Sequence, residues 1–319
     1  MTGDGDTQEA AEVDPLGPRE EARPAGWKLW LRRAFTIGIL SFIIWRLTLI
    51  GWGELWRNLP TEPLFYVLHF TAYSVLPLSE IAIFSLIWGV SMSGTFGVML
   101  RKRALNNSVI GYSGEVYLYL WAKARFGLTG RRLASGLKDN VLMSGIATAL
   151  CAIVAALTLL WINPDLVHDR LVERAGPLSI GLFAVLIVAV LILFYVFRAK
   201  IFGIGGRIFA IVMALHFARI GLTYILQAWQ WDVGVPAGTA ELWFTLITVQ
   251  LVISQLPLLP NRDLIYLAFV IEYAGSTGVN PQDLQAMFVT IFVLYQLLNY
   301  TALAVTSLLR STRVAVKGA

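Results

Sequence analysis

Arg46 in IIWRLTL, Glu80 in LPLSEIAIF, His216 and Arg219 in MALHFARIG, and Arg262 with Asp263 in PLLPNRD are ionisable side chains set in apolar runs. A charge inside hydrocarbon costs at least ~2.5 kcal/mol on insertion scales, so each needs a partner, a watery cavity or a route to the surface. Arg46 lies near the outer end of its run, where a long side chain snorkels to headgroups. Glu80, one turn past Pro77, must be protonated, paired with an arginine or exposed to water. His216 and Arg219 are three residues apart and share a helix face. Arg219 cannot discharge and calls for an acid or a phosphate, whereas a lone His216 reads first as a satisfied core residue. Together these types suit reversible pairing with a phosphate-bearing group. Arg219 and Arg262 would contact the phosphate, and Glu80, Glu115 and Asp263 would be the counter-charges of an empty site. Arg46, His216 and Glu272 are secondary candidates.

Other chemistries lack their residues. There is no GxxxxGK[ST], GxSxG or HExxH pattern, and the histidines stand apart at 69, 168 and 216. Cys151 is the single cysteine and sits in an apolar run, so no disulfide framework exists. No enzyme activity, cofactor or metal is expected.

The elements that must hold such charges are membrane helices. The chain is 57% hydrophobic and 14% charged, with a mean hydropathy of +0.68, more apolar surface than a soluble fold of 319 residues buries. Spanning a bilayer takes ~20 apolar residues as helix, and runs of that order recur where a barrel would show alternation. The segments are 34–51, 64–90, 140–162, 178–198, 207–230, 241–259, a short one at 264–279, and 284–309. The expected fold is therefore all-α and polytopic, with about eight transmembrane segments, one or two of them broken or re-entrant. Residues 1–26 hold seven acids and three prolines and read as a disordered tail. Residues 27–313 form the membrane domain and 314–319 a short C-terminal tail.

Basic residues orient it. Lys28, Arg32 and Arg33 lead the first run, eight lysines and arginines against Glu115 fill 91–138, and Arg310, Arg313 and Lys317 close the chain. The positive-inside rule puts these in the cytoplasm together with both termini, while Trp52, Trp161, Trp229 and Trp231 mark an outer aromatic belt.

Two stretches interrupt the pattern. In PLLPNRD, Pro257 and Pro260 stop a helix, and non-helical backbone at membrane depth needs protein or a watery cavity around it. A plain cytoplasmic turn is the alternative. In 110–140, Gly111 and Gly114 introduce Glu115 and an amphipathic run with Val116, Tyr119, Leu120 and Trp121 on one side. Two such breaks in two halves are what inverted-repeat transporters display.

The GWGELW segment, the Gly-Glu element GYSGEVYLYLWAKARFG with Asp139 beyond it, and the late proline break before LNYTAL resemble the lysylphosphatidylglycerol synthase transmembrane or flippase-like family. The resemblance covers roughly 28–313 and extends to the membrane half of multiple peptide resistance factors. PLLPNRD lacks the glycines of the family's late element, so the carry-over is confined to Glu115, Arg262 and Asp263. No lysyl transfer is expected of this chain. The implied function is an inner-membrane lipid or glycolipid translocase moving an anionic or phosphate-bearing lipid between leaflets of a bacterial membrane. The alternative is a non-transporting membrane partner or assembly factor of an envelope lipid or polysaccharide pathway. Expected partners are membrane lipids and, on the alternative, a cytoplasmic or membrane enzyme of lipid or glycan synthesis, but no nucleic acid.

Overall fold

The computed structural model describes residues 59–108, 112–162, 201–255 and 262–317, with three isolated positions before them. The tail 1–26, the segments 34–51 and 178–198, Arg46 and residues 257–261 of the proline break lie outside the described residues. The described residues are all-helical. In chain order the helices are α1 (Pro63–Trp88), α2 (Phe96–Ser108), α3 (Ser113–Phe126), α4 (Gly130–Ile162), α5 (Gly206–Gly234), α6 (Ala240–Gln255), α7 (Arg262–Tyr273) and α8 (Pro281–Lys317). A 3-10 turn, Ala274–Ser276, separates the last two.

Length divides them into two kinds. The α1, α4 and α5 helices and the Pro281–Ser307 part of α8 are long and apolar enough to cross a membrane. The other four have 13, 14, 16 and 12 residues. At ~1.5 Å per residue these reach only about 18–24 Å, short of a ~30 Å hydrocarbon core. Of the expected 241–259 segment the helix is described as far as Gln255, and the helix of 264–279 is shorter and begins at Arg262 itself.

Among the described helices the order is long, short, short, long, twice over. Consecutive short helices pack on each other, α2 on α3 and α6 on α7. Exchanging the two halves maps most packings onto one another: α1 with α2 onto α5 with α6, α3 with α4 onto α7 with α8, and α2 with α8 onto α6 with α4. The packings of α4 on α1 and on α5 have no equally close counterpart. Two cores lie in this frame, each drawn mainly from one half, although the first also takes in Phe202 and Val212 and the second Phe65 and Ala152. One gathers Phe84, Trp88, Met99, Leu118 and Leu133. The other gathers Trp243, Leu246, Val270, Ile271 and Phe288.

The α1 and α5 helices, equivalent in this exchange, run antiparallel. His69 near the start of α1 bonds Gln230 near the end of α5, whereas Ile83 and Phe84 share a core with Val212 near the start of α5. The halves are therefore inverted relative to one another. The sequence showed two interruptions but no internal repeat, because what repeats is helix length and packing rather than residue identity.

The 91–138 stretch is not a solvated basic loop. It forms α2 and α3 and the start of α4, and Lys102 within it is 3% exposed. The buried face of α3 is Gly114, Leu118 and Ala122, at four-residue spacing, rather than Val116 and Leu120, which are exposed. Small residues win that face because the backbones nearly touch: a Cβ on Gly114 would overlap the Lys102 carbonyl oxygen. Trp231 is likewise in the core, 1% exposed, while Trp161 and Trp229 are exposed as expected.

Candidate functional site

Two polar assemblies lie inside this frame. The first is an ion cluster within the first half. Lys102 Nζ on α2 lies 2.5 Å from Glu80 Oε1 of α1 and 3.0 Å from Glu115 Oε1 of α3. Asn106, one turn along α2, donates to Glu115 Oε1 at 3.1 Å and accepts from the Gly114 amide at 2.7 Å. Burial works against the Lys102 charge, but the Glu80 and Glu115 carboxylates overcome it and hold the ammonium above the usual lysine range. Glu80 thus has the partner its position demanded, a lysine rather than an arginine. Glu80 Oε2 and Glu115 Oε2 remain buried without a hydrogen bond.

Beside the cluster, Arg219 on α5 donates to Ser144 Oγ at 3.1 Å and lies 3.5 Å from Nδ1 of the buried His216. Among the described residues no carboxylate comes within ion-pair distance of it. Glu80 acts on it across space. Asp139, also buried, accepts the Gly203 amide at 2.9 Å and so ties α4 to the residues that lead into α5.

The second assembly is a cavity of about 230 Å³ between the halves. The first half contributes His69, Ala72, Tyr73 and Arg103, and the second half the rest, including Gln250 and Asp263 from its two short helices. Arg103 reaches in from α2 for a local reason. Pro77 has no amide, so the Tyr73 carbonyl one turn earlier on α1 loses its helical donor. The Arg103 guanidinium donates to that carbonyl and lies 4.0 Å from the Tyr73 ring centroid and 5.5 Å from that of Tyr295. Its Nε is buried without a partner.

Opposite, Asp263 occupies the first turn of α7, where an acid complements the helix dipole. It is exposed to the cavity yet ringed by protein, and burial among those walls pushes its carboxyl above the usual range, opposed by Arg103 and Arg262. Amides and aromatic rings complete the wall. Gln230 bonds His69 at 3.2 Å, Gln227 donates to Gln250, and Trp231, Phe288 and Tyr266 form one ring cluster. The Tyr266 hydroxyl has no hydrogen-bond partner.

Of the candidate site residues named from the sequence, Asp263 alone among the described ones lines this cavity. Glu80 and Glu115 belong to the ion cluster, with Arg219 and His216 next to it. Arg262 is exposed and donates at 2.5 Å to the Ser254 carbonyl, in the last turn of α6. It closes a helix end. Glu272 is exposed near the end of α7. Glu80, Arg219 and Arg262 therefore do not share one cavity, as a single phosphate site built from them would require. The residues that sequence reasoning missed are Lys102 and Arg103. The trace of Lys102 was the spacing of Met99, Lys102 and Asn106, which puts two polar groups on one largely buried helical face; Arg103 left none. No protein-family model, no curated protein and no solved structure matches this chain.

Proposed function

We propose that the protein is a translocase of the flippase-like kind, moving a phosphate-bearing lipid between the leaflets of a bacterial inner membrane with both termini in the cytoplasm. The observation that carries this reading is the cavity at the junction of two inverted halves, reached by short helices from each. Inverted-repeat transporters bind at such a junction and expose it to alternate sides by moving one half against the other. Arg103 supplies the guanidinium: it faces the cavity and has no carboxylate within ion-pair distance among the described residues. The exposed apolar side chains of α1 and α5, such as Val67, Leu78, Leu222 and Ile225, suit acyl chains alongside. Arg219 is a second cation that a phosphate can visit in transit, whereas Glu80, Glu115 and Lys102 hold the first short pair in place. No covalent step and no cofactor enter this reading.

Fluorescent phospholipids in vesicles with and without the purified protein test it. Wild type should equilibrate the label between leaflets faster than empty vesicles, Arg103→Leu should not, and Arg103→Lys should keep a fraction of the rate. No acceleration by wild type overturns the proposal and leaves a non-transporting membrane partner as the reading.

A further inference from the structure

We infer that the cavity selects a zwitterionic headgroup, one that carries an ammonium as well as a phosphate. The inference rests on the translocase reading and narrows its substrate. Arg103 and Asp263 face the same space from opposite halves, and no ion pair joins them. Two opposite charges left apart in a protein-walled space leave each without its closest compensation, an arrangement that favours a ligand able to meet both. A purely anionic headgroup satisfies Arg103 but brings a second negative charge towards Asp263. An organic cation does the reverse. A neutral sugar needs neither charge.

The walls fit the same ligand. Arg103 lies over the Tyr73 ring near the Tyr295 ring, which fixes its plane, and its buried Nε, without a partner among the described residues, is a donor that suits a phosphate oxygen. On the other side Tyr266 follows Asp263 on α7, and its ring meets that of Phe288 at 5.8 Å between centroids, with Trp231 at 4.9 Å from Phe288. Aromatic faces beside a carboxylate suit an ammonium through cation–π attraction. The volume of about 230 Å³ corresponds to about eight waters at ~30 Å³ each, the scale of a phosphate joined to a short amino alcohol.

Calorimetric titration of the full chain in detergent with phosphoethanolamine, glycerol 3-phosphate and ethanolamine reads the selectivity directly. Phosphoethanolamine should bind at least ten-fold more tightly than either of the others. Asp263→Asn should bring phosphoethanolamine and glycerol 3-phosphate to similar affinity, Asp263→Glu should keep most of the preference, and Arg103→Gln should lose both phosphates. Thermal unfolding of each variant shows that it is folded. Equal wild-type affinity for the two phosphates, a ratio that Asp263→Asn leaves unchanged, or no binding of any probe overturns the inference. Vesicle assays with labelled phosphatidylethanolamine and phosphatidylglycerol separate it from the translocase reading. Movement of both lipids at equal rates with no binding preference sinks the zwitterion site and leaves transport standing. The binding preference without movement of either lipid keeps the site but removes transport, and marks the zwitterion as a soluble ligand.

Discussion

Pro77 and Arg103 meet at one atom, the Tyr73 carbonyl oxygen: the proline withholds the amide that would pair with it, and the arginine supplies a donor from another helix. A carbonyl buried without a donor costs about 1–3 kcal/mol, so Arg103→Leu should destabilise the protein by that order. In a Pro77→Ala background the new amide takes the carbonyl, and the same Arg103→Leu change should cost little. Denaturant unfolding of the four proteins gives the coupling. Equal costs in both backgrounds would mean that the guanidinium does not serve the gap.

Lys102 pairs with two carboxylates in a closed space. Removing one partner of a buried ion pair typically costs 3–5 kcal/mol, about the range expected for Lys102→Met. Adding Glu80→Gln and Glu115→Gln should recover part of it, because no buried anion is then left unpaired. Thermal melts of the single and triple variants decide; a triple variant no more stable than Lys102→Met contradicts the account.

Arg219→Leu should behave differently. With no carboxylate at ion-pair distance among the described residues, its removal strands no acid, and the Ser144 hydroxyl and the more distant His216 Nδ1 lose their contact with it. Unfolding stability should stay within about 1 kcal/mol of wild type, while leaflet exchange falls and Arg219→Lys retains some of it. Normal exchange in Arg219→Leu at normal expression would reduce the residue to a packing role.

Gly114→Ala tests the close approach of α2 and α3. Its methyl would overlap the Lys102 carbonyl and crowd the Asn106 side chain, so the helices must part, at about 1–3 kcal/mol for overpacking. Gly145→Ala on α4, where the added carbon meets nothing within 4 Å, should be neutral or gain up to about 1 kcal/mol from helix propensity. Equal stabilities for the two variants would argue against tight contact.

Topology is open to labelling. With the free, half-buried Cys151 changed to serine, cysteines placed at Gly5 and Val316 should both react only from the cytoplasmic side. Reaction of both from the outer side would reverse the orientation derived from the basic residues, and a split result would require an odd number of crossings.

What the sequence disclosed followed the physics of each signal. Long apolar runs gave α1, α4, α5 and α8, because a bilayer demands a minimum length that composition displays directly. Glu80 was legible as a residue in need of a partner, since a lone carboxylate in an apolar run has no bland explanation. Its partner was not, because Lys102 is one of eight basic residues in 91–138 and a tally of charge treats all eight as solvated. Arg103 was hidden for the same reason. The proline break itself lies outside the described residues, between the last described residue of α6, Gln255, and the first of α7, Arg262. Yet Arg262 turned to a helix carbonyl, and Asp263 faced the cavity, a choice between neighbours that depends on how α7 is rotated. The shift of the buried face of α3 onto Gly114, Leu118 and Ala122 reflects contact distance, which hydrophobicity does not encode.

The inverted likeness of the halves has a consequence for the energy of the whole assembly. To the extent that each half offers the other the same surfaces, tilting one way and tilting the opposite way are mirror choices of nearly equal energy. What lifts this degeneracy is whatever the halves do not share, above all the way the Glu80–Lys102–Glu115 group ties α1, α2 and α3 together in the first half. On the proposed translocase reading, residues far from any cargo would thereby set the resting ratio of the two tilts, and a difference of about 1.4 kcal/mol between them would change that ratio ten-fold.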